Sequence, residues 1–330
     1  MFPTKQVVAT QVGSPDVLTI VEARIGAPAD GQIVVKVEAS GVLYGDIMRR
    51  TDRYLTPTPF PYHPGTEIAG TIAATGSGVT DRKIGDRVAG FVPSHGYAQY
   101  AIAESAAMVD LPTAIGFGEA TALLAQGTTA YLLTHDAAAL RGRSVFIESA
   151  AGGVGQQMVQ MARALGASFV VGSASTEDKR SQILRNGADK AVTSIGSGWA
   201  QDILEATSGN GLDVAYESSG ASFAELVKCL GPFGTIVKFG RGVNETLSFE
   251  PSRFVFGNQS LRGFYLPGYR DPAQVGKLVG ATREVLRMAQ AGDLRVKVDR
   301  RYRLSEASLA HRAIEERATS GKVVLEPWSE

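Results

Sequence analysis

The chain has 330 residues, and 33 Lys and Arg balance 33 Asp and Glu, so its formal net charge at pH 7 is zero. That balance gives no global field to gather nucleic acid or an anionic membrane, and neither partner is expected. A single cysteine, Cys229, excludes an intrachain disulfide and a Cys-rich zinc site, while 44% apolar and 20% charged residues belong to a soluble globular protein.

The length suits about two domains of ordinary size. The N-terminus, with Lys5 followed by mixed polar residues, has no signal-peptide core, and no apolar run approaches membrane-spanning length. A cytoplasmic protein is the expectation. From Gln6 to Ala101 the chain is a series of short β-like runs and turns. Val17 to Val21, Gln32 to Ala39, Glu67 to Ala74 and Arg87 to Phe91 are predicted strands, with turns at Gly76-Ser77-Gly78 and Gly85-Asp86. Gly45 to Arg50 is predicted as one or two helical turns. Pro57, Pro59, Pro61 and Pro64 rule out regular structure and predict an ordered loop. This third reads as a compact β-barrel-like domain.

At Gly118 the character changes. Glu119 to Leu133, rich in Ala and Leu, predicts helices interrupted by Gly127. Val145 to Ile147 is a short apolar run suited to a buried strand. A turn with Ala150, Gly152 and Gly155 follows, then Met158, Val159, Met161, Ala162 and Leu165 at helical spacing, then a strand over Phe169 to Val171. That is one βαβ unit with a glycine-rich turn opening its helix, the pattern that binds a dinucleotide pyrophosphate. Small residues let backbone N–H groups approach the phosphates, and the helix N-terminus adds partial positive charge. Further strands are predicted at Ala191 to Thr193, Asp213 to Glu217, Thr235 to Phe239 and Ser260 to Tyr265, with helices at Trp199 to Thr207 and Phe223 to Leu230. This alternation predicts an α/β doubly wound parallel sheet. Helices over Ala273 to Gln290 and Glu306 to Thr319 and a strand over Lys322 to Leu325 close the chain. The cluster Arg300, Arg301, Arg303 reads as a solvated loop face.

An NAD-binding unit carries an acid about 20 residues beyond its glycines. Here that strand ends at Gly172-Ser173-Ala174-Ser175, with Lys179 and Arg180 following and no acid at the tip. Hydroxyls and a cation suit a 2′-phosphate, so NADPH is the expected cofactor. Glu177 and Asp178 are expected to cap a helix or face solvent.

With these residues in view, the chain resembles the zinc-independent quinone oxidoreductases (zeta-crystallin type) of the medium-chain dehydrogenase/reductase superfamily over essentially its whole length. The resemblance rests on Gly41-Val42-Leu43-Tyr44-Gly45-Asp46, Tyr62-His63-Pro64-Gly65-Thr66-Glu67-Ile68-Ala69-Gly70 and Lys83-Ile84-Gly85-Asp86-Arg87-Val88. It continues through Gly127-Thr128-Thr129-Ala130-Tyr131, Ser149 to Gly155, Glu217-Ser218-Ser219-Gly220, Phe239-Gly240-Arg241 and Gly321-Lys322-Val323-Val324-Leu325. It implies a GroES-like catalytic domain over 1–118, completed by 266–330, around a Rossmann domain over 119–265 with the cofactor in the cleft. It also implies a homodimer joined through the last Rossmann strand, near Ser260 to Phe264.

The resemblance assigns roles by position. Thr128 and Thr129 would approach the nicotinamide, and Gly152, Gly153, Val154 and Gly155 the pyrophosphate. Gly172, Ser173, Ser175 and Lys179 would hold the 2′-phosphate end. Phe239, Gly240 and Arg241 would line the nicotinamide ribose, with Phe264, Tyr265, Leu266 and Lys322 closing the cleft; Tyr265 and Tyr269 are alternatively placed at a dimer contact or substrate pocket. Zinc-dependent relatives carry ligands near Leu43, Thr66 and Gln126, side chains that cannot make the N/S ligand set of a catalytic zinc. No metal is expected.

Without zinc the natural acceptor is a quinone or the activated C=C bond of an α,β-unsaturated carbonyl. Tyr54 and Tyr44 are the candidate proton donors, with His63 behind them, and no residue is assigned as a base. Leu43 replaces the family's usual asparagine, and Ser194 stands where a tyrosine is common. An enoyl-thioester reductase and a low-turnover NADPH-binding protein remain open alternatives.

Overall fold

The computed structural model describes residues 1–194, 196–240, 249–271 and 273–329. Its contacts divide the chain into two compact units, Met1–Ala125 with Thr282–Glu330, and Gln126–Ala281.

In the first unit, β1 (Phe2–Ala9) pairs antiparallel with β2 (Leu18–Ile25). The main sheet draws on β3 (Gln32–Val42), β4 (Glu67–Thr75), β5 (Arg87–Phe91), β6 (Tyr100–Glu104) and β7 (Met108–Asp110). Ile33, Val35 and Val37 alternate along β3 and pack inward with Ile68, Ile72, Val88 and Met108. Val34 on the opposite face is equally buried, and burial is continuous from Ala39 to Val42, so β3 is covered on both faces over most of its length. Helix α1 (Tyr44–Arg50) starts where the Asp46 carboxylate accepts the Leu43 N–H at 3.0 Å. Helix α2 (Phe117–Ala122) belongs to this unit because it packs on β3 and β4. The first boundary therefore falls at 125, not at the expected 118.

The second unit opens with α3 (Thr128–Leu132) and then alternates strand and helix. The order is β8 (Ser144–Ile147), α4 (Gly155–Ala164), β9 (Phe169–Ala174), α5 (Glu177–Arg185), β10 (Lys190–Thr193) and α6 (Trp199–Ala206). Then come β11 (Leu212–Glu217), α7 (Phe223–Cys229), β12 (Leu230–Lys238), α8 (Ser252–Gly257) and β13 (Ser260–Gly263). The six strands are all parallel in the order β10-β9-β8-β11-β12-β13. β8 is buried along its whole length, as a parallel strand covered on both faces must be, and Phe146 stacks on Trp199 at 5.0 Å. The chain runs outward from β8 to β10 and then returns to β11 on the other side of β8. The switch point of the sheet thus lies between β8 and β11.

The second boundary falls inside α9 (Val275–Ala291), later than the expected 265. Beyond it, β14 (Val298–Arg303) and β15 (Lys322–Glu326) join the first unit's sheet, ordered β14-β15-β3-β4-β5-β7 with β6 also on β3, and α10 (Ala307–Glu315) lies between them in sequence. Arg300, Arg301 and Arg303 are therefore strand residues rather than a loop. β14 is an edge strand, where exposed cations are tolerated and discourage further pairing.

Candidate functional site

The glycine turn leaves β8 through Ser149, which holds a positive φ of 52°. The Ala150 N–H donates to the Ser173 carbonyl at 3.0 Å, tying the turn to the end of β9. A Cβ at Gly155 would lie 2.5 Å from the Ser149 carbonyl oxygen and 2.6 Å from the Ala150 Cα, so helix α4 approaches this closely only with glycine there. At Gly172 a Cβ would sit 2.6 Å from both the Ala150 Cβ and the Ile183 Cγ2, which makes Gly172 a packing residue beneath the turn. No side chain caps α4 at Val154. The Gln156 N–H donates to the Gly152 carbonyl at 3.0 Å and those of Gln157 and Met158 to the Val154 carbonyl at 3.1 and 3.0 Å, so what this end presents to an anion is the helix's partial positive charge. Gln126 lays its carboxamide over Gly153, and its Oε1 is buried with no hydrogen-bond partner among the described residues.

At the tip of β9 the accessible groups differ from those expected. Ser173 is fully buried, and its Oγ accepts the Ser149 N–H at 3.4 Å, so its hydroxyl serves the turn rather than a 2′-phosphate. Ser175 is half-buried, and Thr176 caps α5 by accepting the Lys179 N–H at 3.4 Å. Lys179 and Arg180 follow on the first turn, where Arg180 pairs with Glu177 at 2.6 Å. Two cations and two hydroxyl-bearing residues thus gather within six positions of one strand end.

Among the remaining expected cofactor residues, Thr128 and Thr129 are buried at the start of α3, and Val154 and Gly152 are half-buried. The Phe239 N–H donates to the Glu217 carbonyl at 3.0 Å and the Phe264 N–H to the Lys238 carbonyl at 2.8 Å, which lines both up along the carboxyl ends of β11 and β12. Gly240 and Tyr265 are exposed, and Leu266 opens a short helical turn over Leu266–Arg270. Tyr269 donates to Asp136 at 3.0 Å. Arg241 lies outside the described residues. Lys322 departs from its expected role: it is fully buried in the first unit, with its ammonium on the Glu67 carboxylate and the Val42 carbonyl. A lysine held there is a counter-ion for Glu67, whose other oxygen accepts the Ala125 N–H at 2.9 Å.

The first unit brings Tyr44 and Tyr54 to the same corner. Tyr44 is exposed at the head of α1, and the Tyr54 ring lies beneath the Arg49 guanidinium at 4.0 Å and beside Gly45. Behind them Asp46 is a buried hub that accepts from the Leu43 and Gly65 N–H groups and the Tyr62 and Tyr97 hydroxyls. Burial raises the Asp46 carboxyl above its ordinary range and pushes both tyrosines up. His63 and His95 stack with ring centroids 4.0 Å apart; burial lowers both, and His63 lowers His95 further.

Sequence reasoning passed over a second cluster. Glu148 directly follows β8, Glu217 ends β11 and Lys238 ends β12. Both carboxylates are buried. Glu148 accepts from the Ser218 N–H at 2.7 Å, the Ser218 hydroxyl at 2.8 Å, the Ser219 N–H at 2.8 Å, the Ser219 hydroxyl at 2.9 Å and the Ser222 N–H at 3.2 Å. Burial works to raise Glu148, but these donors hold it below the usual carboxylate range. Glu217 accepts the Gly220 N–H and pairs with the Lys238 ammonium at 2.9 Å; burial, then the nearby Glu148 charge, push it up to about 7. The available signal was an acid placed directly between an apolar strand and a glycine turn.

Comparison with known proteins agrees with this geometry. The family model for the alcohol dehydrogenase GroES-like domain matches residues 29–141, and that for the zinc-binding dehydrogenase matches residues 153–281. The chain is 34% identical over 325 residues to a probable quinone oxidoreductase of Schizosaccharomyces pombe, covering 96% of this chain and 95% of that protein. Identity to a quinone oxidoreductase of Pseudomonas aeruginosa is 32%, covering 98% and 99%. The crystal structure of Escherichia coli quinone oxidoreductase complexed with NADPH is similar at a TM-score of 0.90 and 29% identity, covering 98% of this chain and 100% of that one. A GroES-like unit joined to a parallel Rossmann sheet defines the medium-chain dehydrogenase/reductase fold. Within that superfamily the chain belongs to the quinone oxidoreductase family.

Proposed function

We propose that the protein is an NADPH-dependent reductase that delivers hydride to a quinone or to the C=C bond of an α,β-unsaturated carbonyl, without zinc. The observation that carries this reading is the glycine turn at the switch point, followed by a strand whose tip offers Ser175, Thr176, Lys179 and Arg180 and no acid before Glu177. The E. coli relative complexed with NADPH supports the same cofactor.

When bound, NADPH supplies a hydride. The chain's part is to hold the pyrophosphate on the N-terminus of α4 and the 2′-phosphate on Lys179 with its neighbours. Reduction leaves negative charge on the acceptor's conjugated oxygen, which a phenol can hydrogen-bond or protonate at neutral pH. Tyr54 and Tyr44 are the first unit's candidates. Leu43, Thr66 and Gln126 supply no thiolate or imidazole for a catalytic zinc, which supports a metal-free reaction.

The reading includes a homodimer and a cytoplasmic location. β13 is the edge of the parallel sheet, and Val255 and Phe256 beside it are 72% and 87% exposed. No helix among the described residues is long and apolar enough to cross a membrane.

Oxidation of NADPH and of NADH against 1,4-naphthoquinone, a small enone and crotonyl-CoA, each with a chelator present, tests the reading. Turnover of quinone or enone is expected with NADPH, insensitive to the chelator and with a KM at least about tenfold below that for NADH, the scale of one charged phosphate contact. Turnover of crotonyl-CoA alone would make the protein an enoyl-thioester reductase. Binding of NADPH with no turnover would make it a cofactor-binding protein.

A further inference from the structure

The Glu148 cluster has a cost that packing alone does not explain. A carboxylate 2% exposed must be matched by donors or it destabilises the fold. Glu148 is matched by five, and every one comes from the single turn between β11 and α7, Ser218 to Ser222. One side chain therefore fixes the conformation of one turn.

That turn lies at the switch point, where an open parallel sheet binds its ligand. On one side of β8 stands β9, whose tip carries Ser175 and Lys179 for the adenosine phosphate. The pyrophosphate cradle follows β8 itself. The other half of a dinucleotide must then run over the carboxyl ends of β11 and β12. There the Ser218 carbonyl oxygen would lie 2.5 Å from a Cβ on Gly240, the Phe239 N–H donates to the Glu217 carbonyl, and Lys238 pairs with Glu217. The Ser218–Ser222 turn and the Phe239–Gly240 backbone are consequently one body, fastened to the end of β8 through Glu148. Its charge is spread over five donors, and Lys238 offsets Glu217, so the floor of the crevice does not repel phosphates.

We infer that Glu148 is a positioning residue for the nicotinamide half of the dinucleotide, acting through the Ser218–Ser222 turn and the Phe239–Gly240 backbone packed against it. The inference rests on the NADPH reading proposed above.

Two ligands separate this role from a general structural one. NADPH spans both halves of the crevice, whereas 2′,5′-ADP occupies only the adenosine side. Glu148→Gln keeps the shape but turns an acceptor into a donor facing N–H groups. It is expected to raise the NADPH Kd about tenfold or more, the scale of losing a charged hydrogen bond, while the 2′,5′-ADP Kd stays within about twofold. The double variant Ser218→Ala/Ser219→Ala removes the two hydroxyl donors and leaves the carboxylate and backbone. It is expected to shift NADPH alone by about threefold, and it carries the comparison if Glu148→Gln does not fold. Equal losses for both ligands, or no change for NADPH, would overturn the inference. Failure of 2′,5′-ADP and NADPH to bind the unaltered protein would instead remove the cofactor reading.

Discussion

Tyr54 is the residue on which the proposed chemistry is most directly tested. Tyr54→Phe removes one oxygen and keeps the ring under the Arg49 guanidinium, so packing should persist. If the phenol serves the acceptor's oxygen, kcat should fall about 10²-fold with the KM for NADPH unchanged, the usual scale for a positioned acid. Unaltered turnover in steady-state assays would remove Tyr54 from the reaction. Tyr44 and Tyr54 are singled out in the sequence because phenols near a family motif carry their chemistry in their type, and their part in the reaction rests on this test. Ser173 and Lys322 were misjudged for the converse reason: residue type gives no burial, and both prove to be interior groups with partners already in place. Glu148 was invisible because the serines that give it meaning lie about 70 positions on.

At the scale of elements, the βαβ unit was readable from spacing, because its turn, helix and strand are set by neighbours in sequence. β1, β6, β7 and β14 were not. β7 has three residues and β14 is largely charged, so neither shows an apolar period, and their partners decide that they are strands. The α8–β13 edge gives a prediction at this scale. Phe256→Asp places a charge on a side chain that is 87% exposed, so the fold should tolerate it, whereas an apolar dimer contact should not. Light scattering should report a dimer for the unaltered chain and a monomer for the variant, with unchanged circular dichroism. Identical masses would sink the edge-strand dimer.

For the whole molecule, the GroES-like and Rossmann character was legible from motif order, but the boundaries were not. The alanine- and leucine-rich stretch after α2 and the helix α9 carry no compositional break where the contacts change sides, at 125 and 281. The buried polar interior also governs the response to acid. His311 in α10 is fully buried, shares a hydrogen bond with the Tyr97 hydroxyl at 3.2 Å, and is lowered to about 3 by burial and the nearby Arg50 charge. Unfolded, it would titrate near 6.5, so between these values the unfolded chain binds a proton that the folded chain refuses. The contribution to stability is complete above about pH 6.5 and lost as pH falls toward 3, amounting to ~2–3 kcal/mol by pH 4.5. Melting temperatures from pH 7.5 to 4.5 should fall more steeply for the unaltered protein than for His311→Gln. Parallel slopes would show that another group controls the acid transition.

The pairing of β15 with β3 joins Val323 to Val42 and sets Lys322 against Glu67. During synthesis the strands β3 to β7 emerge long before residue 322. Until then the most buried carboxylate of that sheet has no counter-ion, and closing the sheet around it would strand a charge. The strands of the second unit's parallel sheet, by contrast, lie within residues 144–263 and need no partner from the end of the chain. The Lys322–Glu67 pair thus makes one buried contact depend on residues 255 positions apart.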